Sequence, residues 1–515
     1  MTHRSSSRRC FLFGAGAVTI APFIARMRAS RAATNFDPSF GTATQALGAL
    51  RAGIISSRDL TEHVFQRIKK YNAKINAFVT LLEAQAMEQA RKADQERADK
   101  SARGALHGLP ILVKDAFSTA GIRTTSGSAS LEHYVPRQDA IVVARLKRAG
   151  AIIVGKTNLP EFAGDWQSYN DVAGTTNNPW DLTRTPGGST GGGAAALAAG
   201  FGFLEIGSDI AGSIRVPANF CGVYGHKSSR DLVPQEGHIP PPPGNPGAPM
   251  LLPAIGPLAR SPEDLLLELG VVAGPPPDQA LAYSWTLPKP RKSALHDYKL
   301  GFVLDDPFCA VDQAVKNVLM TAIENLRRAG AQLTEGWPQG FDPASTYDNY
   351  AFLLSTETNE GQPDTVTQQN LKLVAGGVRD PDVRGSVASH RDWQHETERR
   401  VIAQNIWRDY FKNFDAFLSP TTFVPAFPHD HAPVATRKLA ANGAQRAYSD
   451  LRKWIDFATL TGCPATIAPV GLIKSGLPVG LQIMGPFLED ATPIDVAMKV
   501  RDVCGGFVLP PGYGA

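Results

Sequence analysis

The stretch Leu109-Pro-Ile-Leu-Val-Lys114, then Ile141-Val-Val-Ala-Arg-Leu-Lys-Arg-Ala149, then Ala151-Ile-Ile-Val154 decides the fold class. Residues 109–113 and 151–154 are short, continuously apolar runs, which is how strands buried on both faces read. Residues 141–149 between them predict a helix. Strand, helix and strand in succession imply an α/β sheet protein. The same texture, short apolar runs punctuated by glycine, extends from residue 105 to about 225. It restarts near residue 300 with a strand over 301–304 and a helix over 314–329. Two further apolar strands, bounded by glycine and proline, fall between 462 and 485.

Residues 44–100 read as helical, with Leu60, Val64 and Ile68 at four-residue steps and Ser56 with Asp59 as a capping box. Residues 340–450 are polar, weakly periodic and mostly helical by propensity. Proline clusters at 240–243 and 275–277 mark loops. No repeat and no long linker divides the chain, so one elaborated α/β domain over 34–515 is expected.

The net charge of +4 is concentrated at the N-terminus. Residues 1–33 hold six arginines and no acid, and removing those six from +4 leaves −2 for the rest. A near-neutral body gives no electrostatic support for a nucleic-acid or anionic-membrane partner. Arg8-Arg9-Cys10-Phe11-Leu12, a mildly apolar run to Ile24 and small residues up to Ala33 form a secretory signal. The adjacent arginines resemble a twin-arginine export signal, which predicts a periplasmic or secreted protein. The 14 apolar-run residues from Phe11 to Ile24 include Gly14, Gly16 and Pro22. That is short of the roughly 20 needed for a span, so no stable membrane insertion is expected after processing. Cys221, Cys309, Cys463 and Cys504 are widely spaced, which excludes a disulfide framework or a cysteine zinc site.

Two motif matches fail on physical grounds. Gly150-Ala-Ile-Ile-Val-Gly155-Lys156-Thr157 has the letters of a phosphate loop, but its variable positions are strand material and Pro160 follows closely. Gly187-Gly188-Ser189-Thr190-Gly191 has the letters of a nucleophile elbow, but loop residues precede it where a strand is required. His429-Asp430-His431 lacks a third ligand cluster and reads as loop histidines rather than a metal site.

Three segments carry chemistry together. Gly108-Leu-Pro-Ile-Leu-Val-Lys114-Asp115 places a lysine at the end of an apolar strand, where lysine is rarely buried without a reason. Pro186-Gly-Gly-Ser189-Thr190-Gly-Gly-Gly193 is a tight turn opening a helix of small residues. Gly207-Ser208-Asp209-Ile210-Ala211-Gly212-Ser213-Ile214-Arg215-Val216-Pro217 places small residues before a serine, where backbone N–H groups can converge on one point.

These segments resemble the amidase signature family of serine hydrolases. Gly155-Lys-Thr-Asn158, Asn178-Pro179-Trp180, Phe220-Cys221-Gly222, Gly256-Pro257-Leu258-Ala259-Arg260-Ser261 and Gly476-Leu-Pro478-Val-Gly-Leu-Gln482 extend the likeness in family order. It covers the chain from about residue 40 to the C-terminus, with the core signature at about 104–225 and the weakest match at 340–450. The resemblance implies a single α/β/α domain around a large mixed β-sheet. It implies Ser213 as nucleophile, Ser189 as bridging serine behind a cis Gly188–Ser189 peptide, and Lys114 as base. The oxyanion hole would be the N–H groups of Ile210, Ala211, Gly212 and Ser213. The implied activity is hydrolysis of a carboxamide through an acyl-enzyme, without metal or organic cofactor, on a small-molecule substrate. A homodimer stays open.

A serine hydroxyl needs an adjacent base, and a lysine serves only if burial holds it neutral. Thr190 and Ala211 depart from the commonest family residues, as does the run Tyr224-Gly-His226-Lys227-Ser228-Ser229. Two alternatives share the signature: the glutaminase subunit of a tRNA-dependent amidotransferase, and a non-catalytic binding protein. Trp166, Tyr169, Phe423 and Phe427 suggest an apolar or aryl acyl pocket, against ordinary core packing as the plainer reading.

Overall fold

The computed structural model describes residues 36–245, 250–359 and 361–514. The export-signal expectation therefore falls outside the described residues. None of the described helices is long and apolar enough to cross a membrane.

Eleven strands form one mixed sheet: β1 (Phe78–Leu81), β2 (Pro110–Lys114), β3 (Ile152–Thr157), β4 (Leu204–Asp209), β5 (Tyr224–Lys227) and β6 (Ala254–Ala259), then β7 (Lys299–Phe302), β8 (Gln332–Glu335), β9 (Ala416–Pro420), β10 (Ala465–Leu472) and β11 (Pro478–Met484). Their spatial order is β1-β3-β2-β4-β6-β5-β10-β11-β9-β7-β8. Every residue of β2, β3 and β4 is buried, which explains why these strands read as apolar runs and not as alternating patterns.

The strand–helix–strand unit forms as read, with helix Ile141–Arg148 between β2 and β3. Strands β2 and β3 pair in parallel, Pro110 opposite Ile152 and Lys114 opposite Thr157. β4 runs parallel to β2 on its other side, Leu112 opposite Glu205. Lys114 and Asp209 thus sit at the carboxyl ends of neighbouring parallel strands, where open α/β sheets place their ligand crevices.

Of the sheet's strands, β6 and β8 escaped the sequence reading, as did β1 and β9, which lie in stretches read as helical. β1 lies inside the stretch read as helical and pairs antiparallel with β3, Leu81 opposite Gly155. A four-residue run between two helices is too short to show a period. β9 lies inside the stretch read as helical after residue 340, which does contain helices Pro343–Thr358, Asp364–Ala375 and His390–Tyr410. At the other cap, Asp59 N–H donates to Ser56 Oγ at 2.9 Å, but the reciprocal half of the box is not formed.

The phosphate-loop look-alike is strand, as its composition requires. A Cβ at Gly155 would lie 2.7 Å from the Thr80 carbonyl oxygen, so this glycine admits the edge strand β1. Lys156 is fully buried and 3.4 Å from Asp115 Oδ1, with Nζ also donating to the Phe117 carbonyl at 2.7 Å.

The helix Gly191–Ala198 is wholly buried and built of glycine, alanine and one leucine. A Cβ at Gly192 would lie 2.4 and 2.5 Å from the backbone N and O of Asn158 and 2.7 Å from the Ala77 carbonyl oxygen. Helix propensity alone favours alanine over glycine by about 1 kcal/mol. Overpacking against backbone that cannot swing aside costs about 1–3 kcal/mol or more, so packing wins. Gly192→Ala is expected to lower the unfolding free energy by about 1–2 kcal/mol, read from a denaturant titration. An unchanged midpoint would show that the helix can slide.

Candidate active site

The three chemistry-bearing segments meet at the end of β2. Lys114 Nζ lies 2.7 Å from Ser189 Oγ and 3.0 Å from Ser208 Oγ, and Lys114 and Ser189 are fully buried. Its neighbour Lys156 has a carboxylate against it; Lys114 has two hydroxyls. Burial therefore holds the Lys114 ammonium down to about 7, against the opposing pull of Glu205 and Asp209. Glu205 is itself pushed up by burial.

Ser189 arrives on the turn before the buried helix, and its peptide bond with Gly188 is cis. A Cβ at Gly188 would lie 2.4 Å from the Asp165 carbonyl oxygen, so the segment 165–167 packs directly on this turn. Asp165 is anchored by Arg437, 2.6 Å from Oδ2, and by Tyr448, whose hydroxyl donates to Oδ1 at 2.6 Å.

Ser213 sits in the loop between β4 and the helix Arg215–Cys221 and is 5% exposed. Backbone joins it to the lysine–serine pair: Thr190 N–H donates to the Ser213 carbonyl at 3.0 Å. No hydrogen bond between the Ser189 and Ser213 hydroxyls is formed among the described residues.

Asp209 organises that loop. Its carboxylate accepts N–H bonds from Gly212 (2.9 Å) and Ile214 (3.1 Å), and two from the Arg215 guanidinium (3.0 and 2.8 Å). Burial would raise this carboxyl, but Arg215 overrides it and holds it at about 2. The Gly212 N–H is therefore engaged by Asp209, which corrects the expectation that it points at the reaction centre. The N–H groups of Ile210, Ala211 and Ser213 have no partner among the described residues. The loop's carbonyls are tied on the outside, Ala211's by Trp166 Nε1 at 2.6 Å and Ile210's by the Tyr350 hydroxyl at 3.0 Å.

Of the aromatic candidates, only Trp166 reaches the loop. Tyr169 stacks on His431 at 3.8 Å, Phe427 packs edge-on against Phe220, and Phe423 is core. The His429–His431 pair belongs to no metal-capable cluster among the described residues. Sequence reasoning missed Tyr350, which the weakly periodic 340–450 region brings to the site, and His238, whose Nε2 lies 2.8 Å from Ser208 Oγ. A lone histidine before a proline run carries no pattern that would single it out.

The family model for amidases matches residues 59–493. A glutamyl-tRNA(Gln) amidotransferase subunit from a Cyanothece species is 32% identical over 467 residues, 86% of this chain and 93% of that protein. The protein of the same name from Saccharolobus solfataricus is 34% identical, covering 88% and 94%. The solved native peptide amidase of Stenotrophomonas maltophilia superimposes with a TM-score of 0.69 at 25% identity, covering 91% and 98%. With a lysine and two serines gathered at the carboxyl edge of a large mixed sheet, and a family match over most of its length, the chain belongs to the amidase signature family and is an amide-hydrolysing enzyme.

Proposed function

We propose that the chain hydrolyses a carboxamide through an acyl-enzyme on Ser213, with Ser189 as proton bridge and Lys114 as base. The observation that carries this reading is the 2.7 Å contact between Ser189 and a buried lysine that has no carboxylate partner. Ser213 Oγ attacks the amide carbonyl; its proton passes to Ser189 Oγ as the Ser189 proton passes to Lys114. The N–H groups of Ile210, Ala211 and Ser213 face the developing oxyanion, each such donor being worth about 100- to 1000-fold in rate. Collapse of the tetrahedral intermediate breaks the C–N bond, and the leaving ammonia or amine takes its proton from Ser189. Water then attacks the ester by the same relay. The relay needs a Ser213–Ser189 hydrogen bond, and catalytic hydrogen bonds of this kind often tighten only with substrate.

A base that must be neutral gives a rate that climbs as its proton leaves. With Lys114 near 7, kcat/KM is expected to rise with pH and reach half its plateau near pH 7. A profile flat from pH 5 to 9 would contradict Lys114 as base.

For the substrate, Ile210 and Ala211 pack with Leu251, Tyr347, Ala388 and Trp393 on a small apolar cluster separate from the main core. Arg452, which touches the Tyr347 hydroxyl, is already paired with Asp382 at 2.8 Å. Apolar packing against the loop, with Arg452 already paired to Asp382, supports an amide with an apolar acyl group. The curated relatives, whose names make them part of an amidotransferase, favour a second reading: glutamine as the amide and other subunits as partners. Ammonia release from aliphatic, aryl and peptide amides and from glutamine separates the two. Turnover of an apolar amide by the chain alone supports the first; turnover of glutamine only, or only with co-purified subunits, supports the second. Export rests, as a proposal, on Arg8-Arg9, the apolar run to Ile24 and the small residues up to Ala33, and nothing in the site depends on it.

A further inference from the structure

We infer that His238 is a positioning residue: it fixes the direction of the hydrogen-bond chain His238–Ser208–Lys114, so that the lysine's free electron pair faces Ser189. The inference rests on Lys114 acting as base, as proposed above.

The direction follows from which atoms can donate. His238 Nδ1 lies 3.1 Å from the Pro240 carbonyl oxygen, an acceptor only, so Nδ1 carries the hydrogen. Burial, and then the neighbouring Lys114, holds the imidazole down to about 4, so the ring is neutral and Nε2 is bare. Ser208 must then donate its hydroxyl hydrogen to Nε2, 2.8 Å away. That turns a Ser208 lone pair toward Lys114, which donates an N–H to it across 3.0 Å.

A neutral amine has two hydrogens and one lone pair. With a hydrogen committed to Ser208, the lone pair is left to accept the Ser189 proton at 2.7 Å. In the reverse direction Ser208 would donate to Lys114, the lone pair would be occupied, and Ser189 would face an N–H that cannot accept a proton. The other ionisable groups acting on Lys114, Glu205 and Asp209, make no hydrogen bond to its Nζ and cannot set this direction.

The fold holds the imidazole in place. Ser118 N–H donates to the Gly237 carbonyl at 2.9 Å, and Ile239 N–H to the Ala116 carbonyl at 2.7 Å. The Ser126 hydroxyl donates to the Ile239 carbonyl at 2.9 Å, and the Phe117 ring meets the imidazole edge-on at 5.1 Å. The segment is thus sewn to the turn that follows the base itself.

The test uses an alkyl fluorophosphonate, which reacts with activated serines and needs no knowledge of the substrate. Its inactivation rate constant and apparent binding constant are measured separately on the full chain. His238→Phe fills the ring's space but offers no acceptor; it is expected to slow inactivation roughly 10- to 100-fold with unchanged binding. His238→Gln, whose side-chain oxygen can still accept from Ser208, is expected to recover most of that loss. In a Ser208→Ala background, His238→Phe is expected to add nothing, because the chain is already cut. Wild-type rates in His238→Phe, no recovery in His238→Gln, or multiplying effects in the double variant would each overturn the inference. Should His238→Phe not fold, wild-type rates in Ser208→Ala would overturn it. If Lys114→Ala reacts as fast as wild type, the fault lies with the base assignment instead.

Discussion

Ser213→Ala is expected to lower amide hydrolysis by roughly 10⁴- to 10⁶-fold while leaving the fold intact. The loss is large because no other hydroxyl can form the acyl-enzyme from the same place: Ser189 is taken up by Lys114, and Ser208 lies beyond it. Removing one hydroxyl at a position 5% exposed leaves no buried charge and little cavity, so stability should barely move. Lys114→Ala should cost a comparable factor, and the double variant should be little worse than either single one, since the residues act as a unit. Lys114→Arg should be as inactive as Lys114→Ala, because a guanidinium stays protonated and cannot serve as base. Activity of Ser213→Ala within about tenfold of wild type, measured as ammonia release, would remove Ser213 from the nucleophile's role.

Asp209→Ala is expected to destabilise the protein by about 3–5 kcal/mol, because it strands the Arg215 guanidinium without its carboxylate. Both side chains are fully buried, 2.8 Å apart at closest, and Arg215 also donates to the Ile455 carbonyl and Thr459. The N–H groups of Gly212 and Ile214 lose their acceptor as well. The loop that carries Ser213 should loosen, so activity falls even where the chain remains folded. The control is Lys412→Ala: its pair with Asp409 has both side chains more than two-thirds exposed, so the change should stay within about 0.5 kcal/mol. Urea unfolding midpoints compare the two directly. Equal effects would mean that the Asp209–Arg215 pair does not anchor the loop.

Much of this was legible in the chain because the decisive segments are extreme. Strands buried on both faces cannot alternate, so β2, β3 and β10 stand out as apolar runs. Lys114 stands out because lysine does not end such a run without cause. What was hidden has equally physical reasons. β1 is four residues long and flanked by helices, and only its pairing with β3 makes it a strand. The use of the Gly212 N–H depends on where the Asp209 carboxylate turns, which spacing along the chain does not encode. His238 and Tyr350 reach the site from 30 and 140 residues away from their hydrogen-bond partners, Ser208 and Ile210, so no local pattern announces them.

The most direct test of the account is to find which residue an alkyl fluorophosphonate modifies, by peptide mass spectrometry of the full chain with and without Lys114→Ala. A single adduct on Ser213 is expected, forming at least about 100-fold more slowly when Lys114 is gone, which is the lower bound for losing a general base. An adduct on Ser189, or labelling of Ser213 that is indifferent to Lys114, would contradict it.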